Sequence, residues 1–334
     1  MTGATDLKPI AVALGDPAGV GPEVVSGAWA ARRQASLSPF FAVGDMASIA
    51  VVSDVPVRRI DDPADAIGCF DDALPCLHVE NGGAVTPGEP SIEGAHVALQ
   101  SLELSIGITR SGAASALVTS PVSKAQLYGV GFTHPGQTEF IAERCGIAPS
   151  LAVMMLAGPS LKVVPITVHV PLRKVFDMLS IDMIRERTVA TVRGLQRNFG
   201  IETPRLAIAG INPHAGEDGA LGSEEKEFIE PAVAALRDMG IDIVGPLPAD
   251  GMFHESARAA YDAALCLYHD QALIPIKALH FDDGVNTTLG LPIVRTSPDH
   301  GTAFGIAGKG IARPGATIAA IRMAAQCARH RMAG

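Results

Sequence analysis

The chain has 334 residues, a net charge of −9 and a pI near 5.5. Its 48% hydrophobic and 18% charged residues exclude a disordered chain, and its length favours two domains. Aromatic residues at 4%, with no Lys/Arg run longer than two, argue against a nucleic-acid surface, and no stretch of 18 apolar residues occurs to cross a membrane.

Pro9 to Leu14 reads as a short apolar strand. GDPAGVGPE, Gly15 to Glu23, ends it, with Pro22 placed where the first turn of a helix tolerates proline. Phe40 to Asp45 reads as a second strand and Glu93 to Arg110 as a helix. Ala116 to Thr119 reads as a buried strand before Ser120-Pro121 and a helix from Ser123. Leu151 to Leu156 and Val163 to Val170 flank Gly158-Pro159-Ser160 as a hairpin. Ile181 to Phe199 is a long amphipathic helix, and Leu206 to Ile211 a strand. Ser223 is the N-cap of a helix with an acidic first turn. Asp242 to Gly245 and Ala264 to Tyr268 read as strands, and Ala316 to Arg331 as a closing helix with a basic last turn. Strands alternating with helices predict an α/β fold.

The five cysteines are odd in number and form no CxxC, so they read as reduced thiols of a cytoplasmic protein. The opening MTGATDLKPIAVALGDPAG lacks the basic region and long apolar core of a signal peptide.

Three of ten histidines stand directly after apolar, strand-like runs: His169 in VVPITVHVPLR, His214 in LAIAGINPHAGE and His269 in ALCLYHDQ. Strand C-termini line the ligand crevice of open α/β sheets, so three imidazoles there suit one divalent cation with positions left for substrate. Ordinary surface or core histidines are the competing reading. GDPAGVGPE and HGTAFGIAGKGIARPGA, His300 to Ala316, are Gly-rich stretches before helices, where backbone N–H groups can meet a phosphate. Neither matches a dinucleotide or P-loop pattern. Lys277, Asn286 and Arg295 suit a carboxylate or phosphate, as do Gln137 and Thr138 near a helix start. Asp250 and Asp270 are carboxylates able to accept a proton or to orient a histidine.

GDPAGVGPE, LVTSPVSKA, HPGQTEF, TVHVPLR, INPHAGE, GPLPAD, YHDQALIPIK, GVNTTLGLPIVRTSPDHGTAF and IAGKG run in one order from Gly15 to Gly310. Together they resemble the 4-hydroxythreonine-4-phosphate dehydrogenase family of pyridoxal phosphate biosynthesis, within the isocitrate/isopropylmalate dehydrogenase-like superfamily. The resemblance implies two α/β domains around a central cleft: 1–118 with 288–334, carrying both termini and the cofactor loops, and 119–287, carrying the metal ligands and the dimer interface. It implies His169, His214 and His269 as ligands of one divalent ion (zinc, magnesium or cobalt), and Gln137, Thr138, Lys277, Asn286 and Arg295 as substrate-binding residues. Gly15, Asp16, Gly19, His300, Gly301, Thr302 and Gly308 fall in the loops that would hold NAD or NADP. Asp270, Asp250 and Lys277 are the candidates for proton transfer.

The implied assembly is a homodimer with its active site at the interface, so the three histidines need not come from one chain. The implied substrate is a small phosphorylated hydroxy amino acid, oxidised at C3 and then decarboxylated. Gln137 departs from the family's usual His, and an amide can neither carry charge nor shuttle a proton. His134 offers a replacement imidazole. Gly305 stands where the family usually has Asp near the ribose, which leaves NAD and NADP both open. Gln137 keeps D-threonate or D-erythronate 4-phosphate and cis-diol carboxylates as alternative substrates.

Overall fold

The computed structural model describes residues 7–333. Residues 1–6 lie outside it, and with them part of the segment read for a signal peptide. The chain divides into two compact units, Met1–Pro149 with Leu291–Gly334, and Ser150–Gly290.

The first unit begins with β1 (Ile10–Ala13), α1 (Gly21–Ala30), β2 (Phe40–Gly44), α2 (Met46–Val52), β3 (Val57–Ile60) and α3 (Asp65–Cys69). It continues through β4 (Leu74–His78), α4 (Ile92–Arg110), β5 (Leu117–Thr119), α5 (Lys124–Tyr128) and α6 (Gln137–Arg144). The second unit holds β6 (Val153–Ala157), β7 (Lys162–Pro165), α7 (Leu172–Met178), α8 (Ile181–Phe199), β8 (Arg205–Ala209) and α9 (Glu230–Asp238). It ends with β9 (Asp242–Leu247), α10 (Glu255–Arg258), β10 (Ala263–Cys266), α11 (His269–Leu279) and β11 (Val285–Leu289). The chain then returns to the first unit with β12 (Arg295–Pro298) and α12 (Gly315–Ala333).

The first unit's strands lie in the order β3-β4-β2-β1-β5-β12, every pair parallel. Helices link successive parallel strands, and β1, β2 and β5 are fully or almost fully buried, as a covered parallel sheet requires. The order reverses at β1, with β2 on one side and β5 on the other. That switch point is where open α/β sheets bind ligands. Two glycines are forced there. Gly15 has φ +72°, and a Cβ would lie 2.3 Å from the Pro121 carbonyl oxygen; at Gly21 a Cβ would lie 2.0 Å from the Leu14 oxygen. Pro22 occupies the first turn of α1, as the sequence reading expects.

In the second unit the order is β11-β6-β7-β10-β8-β9. β6 is antiparallel to β11 and β7; β10 is parallel to β7 and β8, and β8 to β9. Leu156, Val163, Ala207, Ala264, Cys266 and Ile276 build one shared core. The hairpin read across Gly158-Pro159-Ser160 is present, but its second strand stops at Pro165 rather than Val170. Two further backbone bonds, from Ile166 and Thr167 to Cys266 and Leu267, carry the chain to the edge of the His169 loop. The helix read from Ser223 forms, and its Glu225–Ile229 stretch is a wider π-turn before α9. None of the five cysteines is in a disulfide, and no described helix is long and apolar enough to cross a membrane.

Candidate active site

The three histidines follow three neighbouring strands of the second unit. His169 comes after β7, His214 after β8, and His269 opens α11 after β10. These strands are parallel, so all three residues leave the same, C-terminal, end of the sheet. The His169 and His269 ring centroids are 5.6 Å apart. Both line a cavity of about 210 Å³ with Thr167, Leu172, Tyr268 and Asp270. His269 Nδ1 is 2.7 Å from Asp270 Oδ1, which leaves Nε2 to meet a ligand, the usual carboxylate–histidine arrangement at metals. Asp270 therefore stands beside a histidine, as the sequence reading allows, with its carboxylate largely exposed. Among the described residues, no three His, Cys, Asp or Glu side chains converge to hold a metal within one chain. Two imidazoles thus face one cavity, a donor set that fits a divalent ion once another donor joins the pair.

His214 sits in an unusual backbone. His214, Ala215, Gly216, Glu217 and Asp218 all have φ between +42° and +79°, a left-handed run in which only one residue is glycine. His169 is also left-handed, at φ +49°. Non-glycine residues hold such angles only when their surroundings impose them.

The anion-binding candidates of the first unit do assemble. Arg295 opens β12, which pairs with β5, and its Nη2 donates to Thr119 Oγ1 at 2.8 Å. The next residue, Ser120, accepts a bond from Gln137 Nε2 at 3.2 Å. Gln137 and Thr138 form the first turn of α6, whose free N–H groups favour an anion. Arg295 is 5% exposed, and burial lowers its pKa to about 10, partly opposed by Glu139. Gln137 Oε1 is buried without a hydrogen-bond partner. His134 does not replace the missing family imidazole: Nε2 is 2.7 Å from Glu143 Oε2, and the ring packs against Phe132 and Phe140.

The two Gly-rich stretches also meet, inside the first unit. Val20 N–H donates to Thr302 O at 3.0 Å, and a Cβ on Gly19 would lie 3.1 Å from that oxygen. Glu23 reaches across to accept from Gly308 N–H at 3.0 Å and Ala312 N–H at 3.3 Å. Nothing stands within 4 Å of a Cβ built on Gly301, Gly305 or Gly310, so this loop leaves room that a side chain would fill. Such a bare, donor-rich cradle fits a dinucleotide. Asp16 is buried beneath it; burial raises its pKa, and the Ala18 N–H bond partly opposes this. His300 is exposed, with Nδ1 3.0 Å from the Gly301 oxygen.

Asn286 lies on β11 and Lys277 on α11 in the second unit, and Asn286 Oδ1 is a buried acceptor with no hydrogen-bond partner. Asp250 is exposed on a short turn after β9. Residue types alone did not single out Lys124, Glu139, Glu225 or Gln271. Lys124 comes close to the start of α6, with Nζ 3.9 Å from a Cβ built on Gly136. Glu225 and Gln271 are buried behind the histidine loops. Their signal is a polar residue at a helical position turned to the core.

A family model described as pyridoxal phosphate biosynthetic protein PdxA matches residues 37–324. A 4-hydroxythreonine-4-phosphate dehydrogenase from Zymomonas mobilis subsp. mobilis is 57% identical over 327 residues, 98% of each chain. The crystal structure of a 4-hydroxythreonine-4-phosphate dehydrogenase from Klebsiella pneumoniae matches with TM-score 0.87 and 36% identity, over 96% of this chain and 99% of that one. A terephthalate 1,2-cis-dihydrodiol dehydrogenase from Burkholderia xenovorans LB400 matches at TM-score 0.66 and 27% identity, over 96% and 98%. With this coverage the chain belongs to the PdxA family of pyridoxal phosphate biosynthetic proteins, and it is an oxidoreductase.

Proposed function

We propose that the chain oxidises 4-phosphohydroxy-L-threonine at C3 with NAD or NADP, in a metal-dependent reaction. The product, 2-amino-3-oxo-4-phosphooxybutanoate, decarboxylates to 3-amino-2-oxopropyl phosphate. The observation that carries this reading is the buried Arg295 guanidinium, linked through Thr119 and Ser120 to Gln137 at the start of α6. That corner is built for an anion, and the family relatives' names supply a phosphorylated one.

Arg295, Gln137 and Thr138 bind the phosphate, and Lys277 and Asn286 bind the polar remainder of the substrate. His169, His214 and His269 hold the divalent ion, whose Lewis acidity lowers the pKa of a hydroxyl and stabilises negative charge on oxygen. The loops containing Gly15, Asp16, Gly19, His300, Gly301, Thr302 and Gly308 would hold NAD or NADP, which when bound would supply the hydride acceptor. In the oxidation, the C3 hydrogen leaves with its electron pair and the hydroxyl proton passes to a protein base. Asp270, beside His269, is the first choice for that base, with Asp250 and Lys277 the other proton-transfer groups. In the decarboxylation the C1–C2 bond breaks, its electrons form an enolate, and a proton returns to C2.

Two copies of the chain complete the site: His169 and His269 lie side by side in one chain, and among the described residues no three His, Cys, Asp or Glu side chains gather to hold a metal. Cysteines outside disulfides accord with a cytoplasmic location. Gln137 favours a second reading, the same chemistry on D-threonate or D-erythronate 4-phosphate or a cis-diol carboxylate. The similarity to a cis-dihydrodiol dehydrogenase points the same way.

NAD(P)H formation with this substrate panel tests both readings, before and after chelation and with magnesium, cobalt or zinc restored. Turnover of 4-phosphohydroxy-L-threonine that disappears on chelation and returns with metal is expected. Full activity after complete metal removal overturns the metal role, and inertness toward every phosphorylated hydroxy acid overturns the substrate.

A further inference from the structure

We propose that Glu225 and Gln271 are positioning residues, which together set where the His214 and His269 imidazoles stand. Glu225 is 2% exposed. Its Oε1 accepts from Ile211 N–H and Asn212 N–H, both at 2.8 Å, and its Oε2 accepts from Asn212 Nδ2 at 2.9 Å. Three donors from the two residues just before Pro213 are therefore gathered on one carboxylate. Glu224 Oε2 takes another Asn212 Nδ2 bond at 2.7 Å, and Lys226 Nζ donates to the Asp218 oxygen at the far end of the loop.

The π-turn at Glu225–Ile229 thus grips the left-handed run His214–Asp218 at both ends. The fit is close. A Cβ on Gly216 would lie 2.6 Å from Glu225 Oε2, and one on Gly210 would lie 2.7 Å from Ala215 Cα. An unusual helical turn and a run of positive φ angles are both costly by themselves, and each here is the other's support.

Gln271 joins this loop to the second histidine. It lies on α11 two residues beyond His269. Its Oε1 accepts from Leu267 N–H at 2.7 Å, two residues before His269, and its Nε2 donates to the Gly210 oxygen at 2.8 Å, at the root of the His214 loop. One buried amide therefore fixes the spacing between the two segments that carry His214 and His269. This coupling lies within one chain, so it acts whichever protomer's imidazoles share an ion. It rests on the reading of these histidines as metal ligands.

The test is cobalt(II) titration of the full chain, followed by visible absorption, which reports ligand geometry as well as affinity. Thermal unfolding of each variant runs beside it. The variants are Gln271→Met, of similar length without the amide; Gln271→Glu, which keeps an acceptor for Leu267; and Glu225→Gln, which places a donor against Asn212. His214→Ala and His269→Ala serve as references. We expect the two alanine variants to lose cobalt. Gln271→Met and Glu225→Gln should fold, bind cobalt roughly ten- to a hundredfold more weakly and show an altered spectrum. Gln271→Glu should recover part of the affinity. If the alanine variants bind like the parent, the ligand reading falls and this proposal with it. If they lose cobalt while Gln271→Met keeps the parental affinity and spectrum, the positioning role alone is overturned. Should Glu225→Gln fail to fold, the two Gln271 variants decide the matter.

Discussion

A guanidinium buried in a strand destabilises a fold unless an anion meets it. Arg295 has a hydroxyl on one nitrogen and Glu139 near enough to oppose the loss of its charge, yet burial still lowers its pKa to about 10. The sign follows from proton counts. The folded chain holds this proton less tightly than the unfolded chain, so the penalty is complete below about pH 10 and shrinks as pH rises from there towards the unfolded value. Arg295→Met should therefore lose the gain in stability that the parent draws from this group as pH rises above about 10, read from melting temperatures across that range. Inorganic phosphate should raise the melting temperature of the parent and leave that of the variant unchanged. A phosphate response of equal size in both places the anion elsewhere. The same arithmetic applies to Asp16, whose pKa burial raises: its ionised form is a burden above that pKa, and relief comes as pH falls.

At the scale of elements, the Gly-rich loops show what one carboxylate can do across a long stretch of chain. Glu23 on α1 accepts from Gly308 and Ala312, and with the Val20–Thr302 bond it holds together two loops nearly 300 residues apart. Glu23→Ala should leave the α1 packing intact while weakening NAD(P)H binding by about tenfold, read by quenching or enhancement of the bound nicotinamide's fluorescence. Unchanged affinity would mean that the loop keeps its shape without that bond. The two loops were legible as Gly-rich runs before helices though their meeting was not, and β1, β5, α4 and α8 were legible from their plain apolar or amphipathic patterns. β11 and β12 were not. They read VNTTL and RTSP, with few apolar residues, yet Thr287, Thr288 and Thr296 are at most 1% exposed. A reading based on apolar runs passes over such strands, and they carry Asn286 and Arg295. β3 and β4 were hidden for other reasons, the adjacent Arg58 and Arg59 in one and Pro75 in the other. The left-handed loop around His214 was equally invisible, because four of its five positive-φ residues are not glycine and the carboxylate bonded to its root, Glu225, lies eleven positions away.

Across the whole molecule, large apolar side chains are exposed at many places, and four of the second unit's lie on or just after α7, which follows His169, and α11, which opens with His269. Leu172 and Phe176 are 61% and 44% exposed and four residues apart on α7, so they share one face of the helix. Leu172 lines the same cavity as His169 and His269. Ile274 on α11 and Phe281 just beyond it are 67% and 73% exposed. Water is a poor neighbour for four such side chains, and in the proposed dimer a second copy of the chain would supply both an apolar cover and further imidazoles for the His169–His269 pair. The parent should therefore sediment at about twice its 34.6 kDa chain mass at micromolar concentration. The double variant Ile274→Asp, Phe281→Asp should sediment as a single chain. Because both positions are on the surface, its melting temperature should fall only by the amount the interface contributes, and its secondary structure should be retained. It should also lose cobalt binding, although no proposed ligand has been altered. A parent that is monomeric yet binds cobalt with full affinity would require all the donors to come from one chain, with His214 moving to join the other two.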